Sequence, residues 1–143
     1  MIDHFLKLLC SIVSVLAVTA CERVDPEAAS VRRAESISIS SALIDPASLH
    51  GREVVIDAYL IRHTDGPWLA DDPDNALDTA LSIELAPNFR AFNAEGREIY
   101  IPMFDDIPYG KAKGVFVIGN YNVRGFIVED HPHLLLKAFV EHR

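Results

Sequence analysis

The sequence is poor in cysteine. It has two in 143 residues, Cys10 and Cys21, and none follows Cys21. A domain formed by the chain after Cys21 can therefore contain no internal disulfide and no metal cage built from several thiolates. Thiol catalysis by a further cysteine is excluded there as well, so such a domain has to be stabilised by its hydrophobic core.

Basic residues are also scarce. Lys and Arg together number 13, against 21 Asp and Glu, which gives a formal net charge of -8 at pH 7. Proteins that bind DNA or RNA need clustered cations to contact the phosphates. The composition therefore predicts that nucleic acid is not a partner.

Common motifs of catalysis and cofactor binding are missing. The sequence has no Gly-x-Ser-x-Gly nucleophile elbow. Gly110-Lys111 lacks both the upstream glycine and the following Ser or Thr of a phosphate-binding P-loop. We therefore expect no cofactor, and no motif identifies a reaction.

What the sequence does contain is a start that is typical of exported proteins. Lys7 precedes an apolar run over residues 8–18, and the small residues Thr19 and Ala20 follow. That order is the pattern of a secretory signal peptide. The run is shorter than the roughly 20 apolar residues that a membrane-spanning helix needs. We therefore predict that residues 1–20 are a signal peptide.

The four residues Val18-Thr19-Ala20-Cys21 resemble the lipobox of bacterial lipoproteins. In that family the cysteine sulfur is joined to a diacylglycerol, the signal is cut just before the cysteine, and the new amino group is usually acylated. The resemblance implies that Cys21 is lipidated and that the membrane is a partner through this lipid. The alternatives are an ordinary cleaved signal that ends at a buried cysteine and an uncleaved membrane anchor.

The residue after the cysteine bears on which membrane holds the lipid. It is Glu22 rather than Asp. In lipoprotein sorting, Asp at this position retains the protein in the inner membrane, whereas most other residues permit release to the outer one. The resemblance thus implies a lipid-anchored protein of the outer membrane that faces the periplasm, with the inner membrane as the alternative.

The chain after the signal divides into a short polar segment and a longer segment with a β pattern. Residues 21–35 are polar, of mixed charge and without a sustained apolar stripe, and Asp25-Pro26 disfavours a helix start. We predict a flexible tether there in preference to a short helix. Residues 36–143 would then form one β-rich globular domain, large enough to bury a core without disulfides.

Alternation of apolar and polar residues dominates residues 36–143 and predicts strands. The strongest candidate is 52–63, which is rich in β-branched residues. We expect residues 86–96 to be a connection with room for a helical turn, and 104–114 to be a loop. The other predicted strands are 36–41, 67–70, 79–85, 97–103, 115–123, 126–128 and 133–140. The predicted fold class is mostly β, a small barrel-like antiparallel domain.

The order of these elements resembles that of small OB-fold-like domains of bacterial envelope proteins. In those domains a Gly-x-x-Val start leads into a long first strand, and a Val-x-Val-x-Gly-x-Tyr strand comes later. The matching positions are Gly51, Val54, Val115, Val117, Gly119 and Tyr121. The resemblance covers most of residues 37–140 and implies a fold alone, because a fold does not fix a function.

Isolated carboxylates and aromatic side chains are candidates for chemistry. Asp57 interrupts an apolar strand, a pattern that can mark a catalytic carboxylate. An outward-facing strand position explains Asp57, and likewise Glu84, more simply. An aromatic binding patch is conceivable, although packing in the core is the simpler explanation. Its members would be Trp68, Tyr100, Tyr109 and Tyr121.

Two stretches are candidates for metal binding. His131-Pro132-His133 could bind Zn²⁺ or Cu²⁺ through imidazole, but the pair supplies two ligands at most, so we favour a surface turn. An acidic loop could gather oxygens around Ca²⁺, but it lacks the EF-hand spacing, so we favour a solvated loop. Its members are Asp71, Asp72, Asp74, Asn75 and Asp78. We predict no metal site.

These observations favour a lipid-anchored, non-catalytic binding or assembly module of the envelope, with an envelope protein as a partner. The alternative is a small metal-binding protein or a hydrolase-like enzyme that uses Asp57 or the His131/His133 pair. If Asp57, Glu84 and a histidine met in one cleft, the enzyme hypothesis would gain. If they were scattered over the surface, it would fail.

Overall fold

The computed structural model describes residues 23–62, 66–74, 80–100 and 107–143. The predicted signal peptide, the lipobox with Cys21, and Glu22 lie outside these residues. Within them, strands account for 55% and helices for 17%. No helix in the described part of the chain is both long enough and apolar enough to span a membrane.

Most of the sheet closes on itself. The strands are β1 (Glu53–Ile61), β2 (Trp68–Ala70), β3 (Ala80–Phe92), β4 (Glu98–Ile99), β5 (Tyr109–Val123) and β6 (Phe126–Glu141). Their order is β2-β1-β5-β6-β3-β4, and β2 also pairs with β3, which closes a five-stranded barrel. β3 and β6 run parallel, and the other named pairs are antiparallel. The prediction of a mostly-β, small barrel-like domain is confirmed, and the parallel pair of β3 and β6 is an exception to the predicted antiparallel arrangement.

The barrel interior is filled by alternate residues of each strand. In β5 the buried positions include Ala112, Gly114 and Phe116. A Cβ atom at Gly114 would collide with the Leu135 carbonyl, so glycine is what lets β5 approach β6 this closely. The larger side chains of this core include Ile56, Leu60, Leu69, Leu81, Leu134, Leu136 and Phe139.

The structure differs from the tether predicted for residues 21–35. Pro26–Arg33 forms a helix, α1. Asp25 caps it, because its Oδ1 accepts a hydrogen bond from the Glu27 amide at 2.9 Å. Ala28 and Val31 are fully buried against the barrel. The folded part of the chain therefore begins before residue 36.

Two further short helices precede β1. They are α2 (Ile39–Ile44) and α3 (Pro46–Leu49). α2 occupies the second half of the strand predicted at 36–41, because the Ser38 hydroxyl caps it by accepting a 3.0 Å hydrogen bond from the Ser41 amide. α3 is a single helical turn that ends shortly before Gly51. The φ of Gly51 is 78°, which lets the chain turn into β1.

β3 is longer than its sequence pattern predicts. It continues through residues 86–92, where the pattern predicts a connection, and its pairing with β6 is irregular between Leu85 and Arg90. This irregularity changes which side chains face inward. Alternation with the buried Leu81 and Ile83 would place Leu85 inward, but Leu85 is exposed and Ala86 is buried in its place.

β5 and β6 also extend beyond the predicted strands. β5 begins at Tyr109, inside the predicted loop 104–114, and β6 is continuous where the pattern predicts two separate runs. Pairing with neighbouring strands overrides the local sequence preference in both cases. Within the strand predicted at 97–103, Glu98–Ile99 forms β4. Residues 101–103 lie outside the described residues.

Beyond the barrel, β5 and β6 project together as a two-stranded arm, residues 119–131. The pairing of β1 with β5 reaches Val115, and that of β3 with β6 begins at His133. A two-residue turn at Arg124 and Gly125 closes the arm, with φ values of 51° and 85°. Positive φ at both positions gives a turn whose twist matches that of the flanking strands.

Candidate functional site

Asp57 faces away from the barrel interior and joins two distant side chains. Its Oδ1 lies 2.8 Å from Nε2 of His142, and the Ser36 hydroxyl donates a hydrogen bond to its Oδ2. Burial is the largest influence on the pKa of Asp57 and raises it, but the hydrogen bonds from Ser36 and His142 bring that pKa below its ordinary value. Asp57 is therefore a carboxylate held in its charged form.

This arrangement is not that of a catalytic triad. A serine nucleophile needs a base within hydrogen-bond distance of its hydroxyl, and a carboxylate then orients the base. Here the hydroxyl of Ser36 donates to Asp57 itself, and His142 contacts the other oxygen of the same carboxylate. The geometry is that of a bridge between the segment before α2 and the end of the chain.

His131 and His133 lie on one face of β6 rather than in a surface turn. His133 is 3% exposed, and Nε2 of His131 lies 2.9 Å from the Ser82 hydroxyl. The ring of Tyr121 packs against both imidazoles, with centroids 5.1 and 5.2 Å away. Burial lowers the pKa of His131, and the neighbouring His133 lowers it further. His131 is therefore neutral at pH 7.

The nitrogens of His133 face protein acceptors. Its Nδ1 lies 2.9 Å from the carbonyl oxygen of His131, and its Nε2 lies 3.8 Å from Oε2 of Glu84. A ligating imidazole needs one nitrogen directed at the metal. Among the described residues, no group of three or more His, Cys, Asp or Glu side chains could hold a metal ion.

Asp57 and Glu84 do not meet. Asp57 pairs with Lys111 across β1 and β5, and Lys111 pairs with Val140 across β5 and β6. Glu84 of β3 pairs with Leu135 of β6. Val140 and Leu135 are five residues apart on the same strand, about 16 Å at 3.3 Å per residue. Asp57 with His142 and Glu84 with His133 are therefore two separate pairs. The convergence that would favour an enzyme is absent from the described residues.

The described part of the acidic loop is a turn stabilised by its own carboxylates. Oδ1 of Asp72 accepts a 2.9 Å hydrogen bond from the Asp74 amide, and Oδ2 of Asp71 accepts one of 2.9 Å from the Ser40 hydroxyl. The first of these is the hydrogen bond of an Asx turn. Asn75 and Asp78 lie outside the described residues.

The four aromatic candidates do not form a single patch. Trp68 lies on β2 and Tyr100 follows β4, while Tyr109 and Tyr121 are near opposite ends of β5. Twelve residues of extended strand separate those two tyrosines, about 40 Å along the chain. Tyr109 stacks on His142, with ring centroids 5.1 Å apart.

The strongest candidate surface is the arm. Phe126, Ile127 and Val128 are 78%, 64% and 41% exposed. Phe126 and Val128 point to one face of the strand and Ile127 to the other, and exposed apolar side chains on a projecting element make the arm a candidate contact surface. The turn beneath them is fixed, because Oδ1 of Asn122 accepts a 2.8 Å hydrogen bond from the Gly125 amide.

The sequence pattern predicts a strand at residues 126–128 but indicates no site there. A signal was available in Arg124-Gly125, which separates two apolar runs by two residues and indicates a hairpin. It could not show that the hairpin extends beyond the barrel, because that depends on where β1 and β3 stop pairing.

No protein-family model, curated protein or solved structure matches the chain.

Proposed function

We propose that the protein is a lipid-anchored envelope lipoprotein whose β domain acts as a non-catalytic binding or assembly module. The observation that carries this proposal is the arm, which exposes Phe126 and Ile127 next to its turn. Covering apolar surface stabilises a complex by about 25 cal/mol per Å², before the costs of association. We infer that an envelope protein covers the arm.

The arm also offers backbone groups for pairing. In the part of the chain that the structure describes, the outer edges of residues 119–123 and 126–131 lie beside no further strand. An extended segment of a partner can add to such an edge. Main-chain hydrogen bonds would fix the orientation of the partner, and the apolar side chains would supply affinity.

Membrane attachment is the other half of the proposal. The lipobox supports lipidation of Cys21, and Glu22 supports an address in the outer membrane facing the periplasm, with the inner membrane as the alternative. At about 0.8 kcal/mol per buried CH₂, one acyl chain binds a bilayer marginally, whereas two or three hold a protein there durably. Such an anchor would keep the arm within reach of other envelope proteins.

The barrel supports a likeness to OB-fold-like domains. It has five strands, and its β3 and β6 run side by side although they are not consecutive, as in a Greek-key barrel. This likeness concerns the fold and does not select a ligand.

The alternative function is a small metal-binding protein or hydrolase-like enzyme that uses Asp57 or the His131/His133 pair. Both oxygens of Asp57 already contact protein groups, and Tyr121 packs on both histidines. These contacts give all three side chains a structural role that needs no substrate or metal, so they favour the binding module.

Photo-crosslinking in intact envelopes tests the proposal. A photoreactive amino acid replaces Ile127 in one variant and Ile44, which is 84% exposed on α2, in the matched control. We expect position 127 to cross-link to an envelope protein that position 44 does not reach. The same cross-linked products at both positions would reject the arm as the contact surface.

A further inference from the structure

A groove at the end of the barrel away from the arm is lined by basic side chains. They are Arg32, Lys111, His142 and Arg143. The protein as a whole carries a formal charge of -8, so this local excess of cations runs against its composition. The groove has a volume of about 530 Å³, within the range of roughly 300–1,000 Å³ that is typical of small-ligand sites.

Backbone carbonyl groups hold these cations in place. Nζ of Lys111 donates to the carbonyl oxygens of Arg32 at 3.0 Å and Ala34 at 2.6 Å, at the end of α1. The guanidinium of Arg32 donates to the carbonyl of Ala94, and so does Nε of Arg143, at 3.3 Å. A carbonyl positions a cation without neutralising its charge.

Asp57 is a carboxylate beside the groove: it contacts His142 and lies opposite Lys111 in the pairing of β1 with β5. Its other oxygen accepts the hydrogen bond from Ser36. Among the residues that line the groove together with Asp57, the three cations Arg32, Lys111 and Arg143 outnumber the one carboxylate. An anion that enters the groove would therefore meet an excess of positive charge.

We propose that this basic groove binds a phosphate group. Guanidinium groups match phosphate oxygens with paired donors, and a lysine ammonium adds a mobile point charge. Four basic residues around one small groove suit the single phosphate of a small molecule or of a lipid headgroup. The site is separate from the arm, so it adds a ligand to the proposed binding module.

Calorimetric titration of the full-length protein in a nonionic detergent tests the site, with inorganic phosphate as the probe. We expect saturable binding of one phosphate per chain, weakened at least tenfold by Lys111→Gln. Lys113→Gln is the matched control, because Lys113 lies two residues along the same face of β5 and contacts Glu53. We expect it to stay within twofold of the wild type.

A second variant keeps the test valid if Lys111→Gln loosens α1. Arg32→Gln removes a different cation of the groove, and circular dichroism shows whether each variant is folded. Folded variants that bind phosphate as tightly as the wild type would overturn the site. So would a wild type without saturable binding, or a loss in Lys113→Gln equal to that in Lys111→Gln.

The source of the phosphate is distinguished by two probes. Glycerol 3-phosphate represents a free phosphate monoester, and short-chain dihexanoyl phosphatidylglycerol represents an anionic lipid headgroup. Tighter binding of the monoester assigns the groove to a soluble compound, and tighter binding of the lipid assigns it to the membrane. If neither binds in a manner that depends on Lys111, the proposal is wrong.

Discussion

Asp57 connects parts of the chain that are distant in sequence. Ser36 lies 21 residues away and His142 lies 85 residues away. Asp57 is conspicuous in the sequence as a carboxylate inside an apolar strand, but no local pattern identifies its partners. The candidate residue could therefore be predicted, whereas its contacts could not, because they exist only once the barrel has closed.

Replacing Asp57 with Asn should make the stability of the protein less dependent on pH. The pKa of Asp57 is lowered in the folded state, so its charge stabilises the fold above the ordinary pKa of 3.8. That contribution is lost as the pH falls through the lower pKa of the folded state. We expect Asp57→Asn to cost about 1 kcal/mol at neutral pH and less at an acidic pH below 3.8.

Urea unfolding of both proteins at the two pH values provides the measurement. If Asp57→Asn lost as much stability in acid as at neutral pH, the charge of Asp57 would contribute nothing to the fold.

The local rule that predicts a tether at residues 21–35 is correct, yet Pro26–Arg33 forms the helix α1. The residue before a proline avoids helical geometry, and Asp25 obeys this rule, with φ of -59° and ψ of 134°. Such an extended residue is what an N-cap requires. The buried face of α1 consists of Ala28 and Val31, which is too short a stripe to stand out in the sequence. Its apolar partners come from the barrel.

Replacing Val31 with Asp should destabilise the protein by about 3–5 kcal/mol. Val31 has no exposed surface, so the variant buries an unpaired charge. Ser30→Asp is the matched control, because Ser30 is exposed on the same helix, and we expect it to change stability by about 0.5 kcal/mol at most. Chemical denaturation measures both. A flexible tether would make the two variants equal, which would contradict a packed α1.

The strands differ in how far the sequence could predict them. β1 could be predicted, because its β-branched residues and its alternation indicate the same element. β6 could not be predicted as one strand, because Glu129, Asp130 and Pro132 interrupt its apolar pattern. The structure accommodates the interruption with an irregularity, since Asp130 has a φ of 51° and the pairing shifts opposite it. The arm depends on this continuity.

At the scale of the whole molecule, the two proposed surfaces are far apart. Lys111 lies near the start of β5 and Val123 lies at its end. Twelve residues separate them, about 40 Å along an extended strand. The arm could therefore hold a protein partner while the basic groove holds a phosphate.

Replacing Cys21 with Ala should leave an unprocessed precursor that takes up no labelled fatty acid. The expectation follows from the lipobox, because the diacylglycerol is joined to the cysteine thiol, which alanine lacks. Metabolic labelling and gel mobility measure it, and lipid labelling that persists in Cys21→Ala would reject lipidation.

Density separation of the two membranes tests the predicted location in the outer membrane. Recovery of the wild type with inner-membrane markers would overturn the sorting and leave lipidation standing.

The most direct measurement is the affinity of the full-length protein for the partner that cross-links to position 127. We compare the wild type with the double variant Phe126→Ser/Ile127→Ser and with Ile44→Ser as the control. Phe126 and Ile127 point to opposite faces of β6, so the double variant removes an apolar anchor whichever face the partner covers. The Kd should weaken at least about tenfold, or about 1.4 kcal/mol, and the control should stay within about twofold. Equal Kd values for the wild type and the double variant would contradict the assignment of the arm as the binding surface.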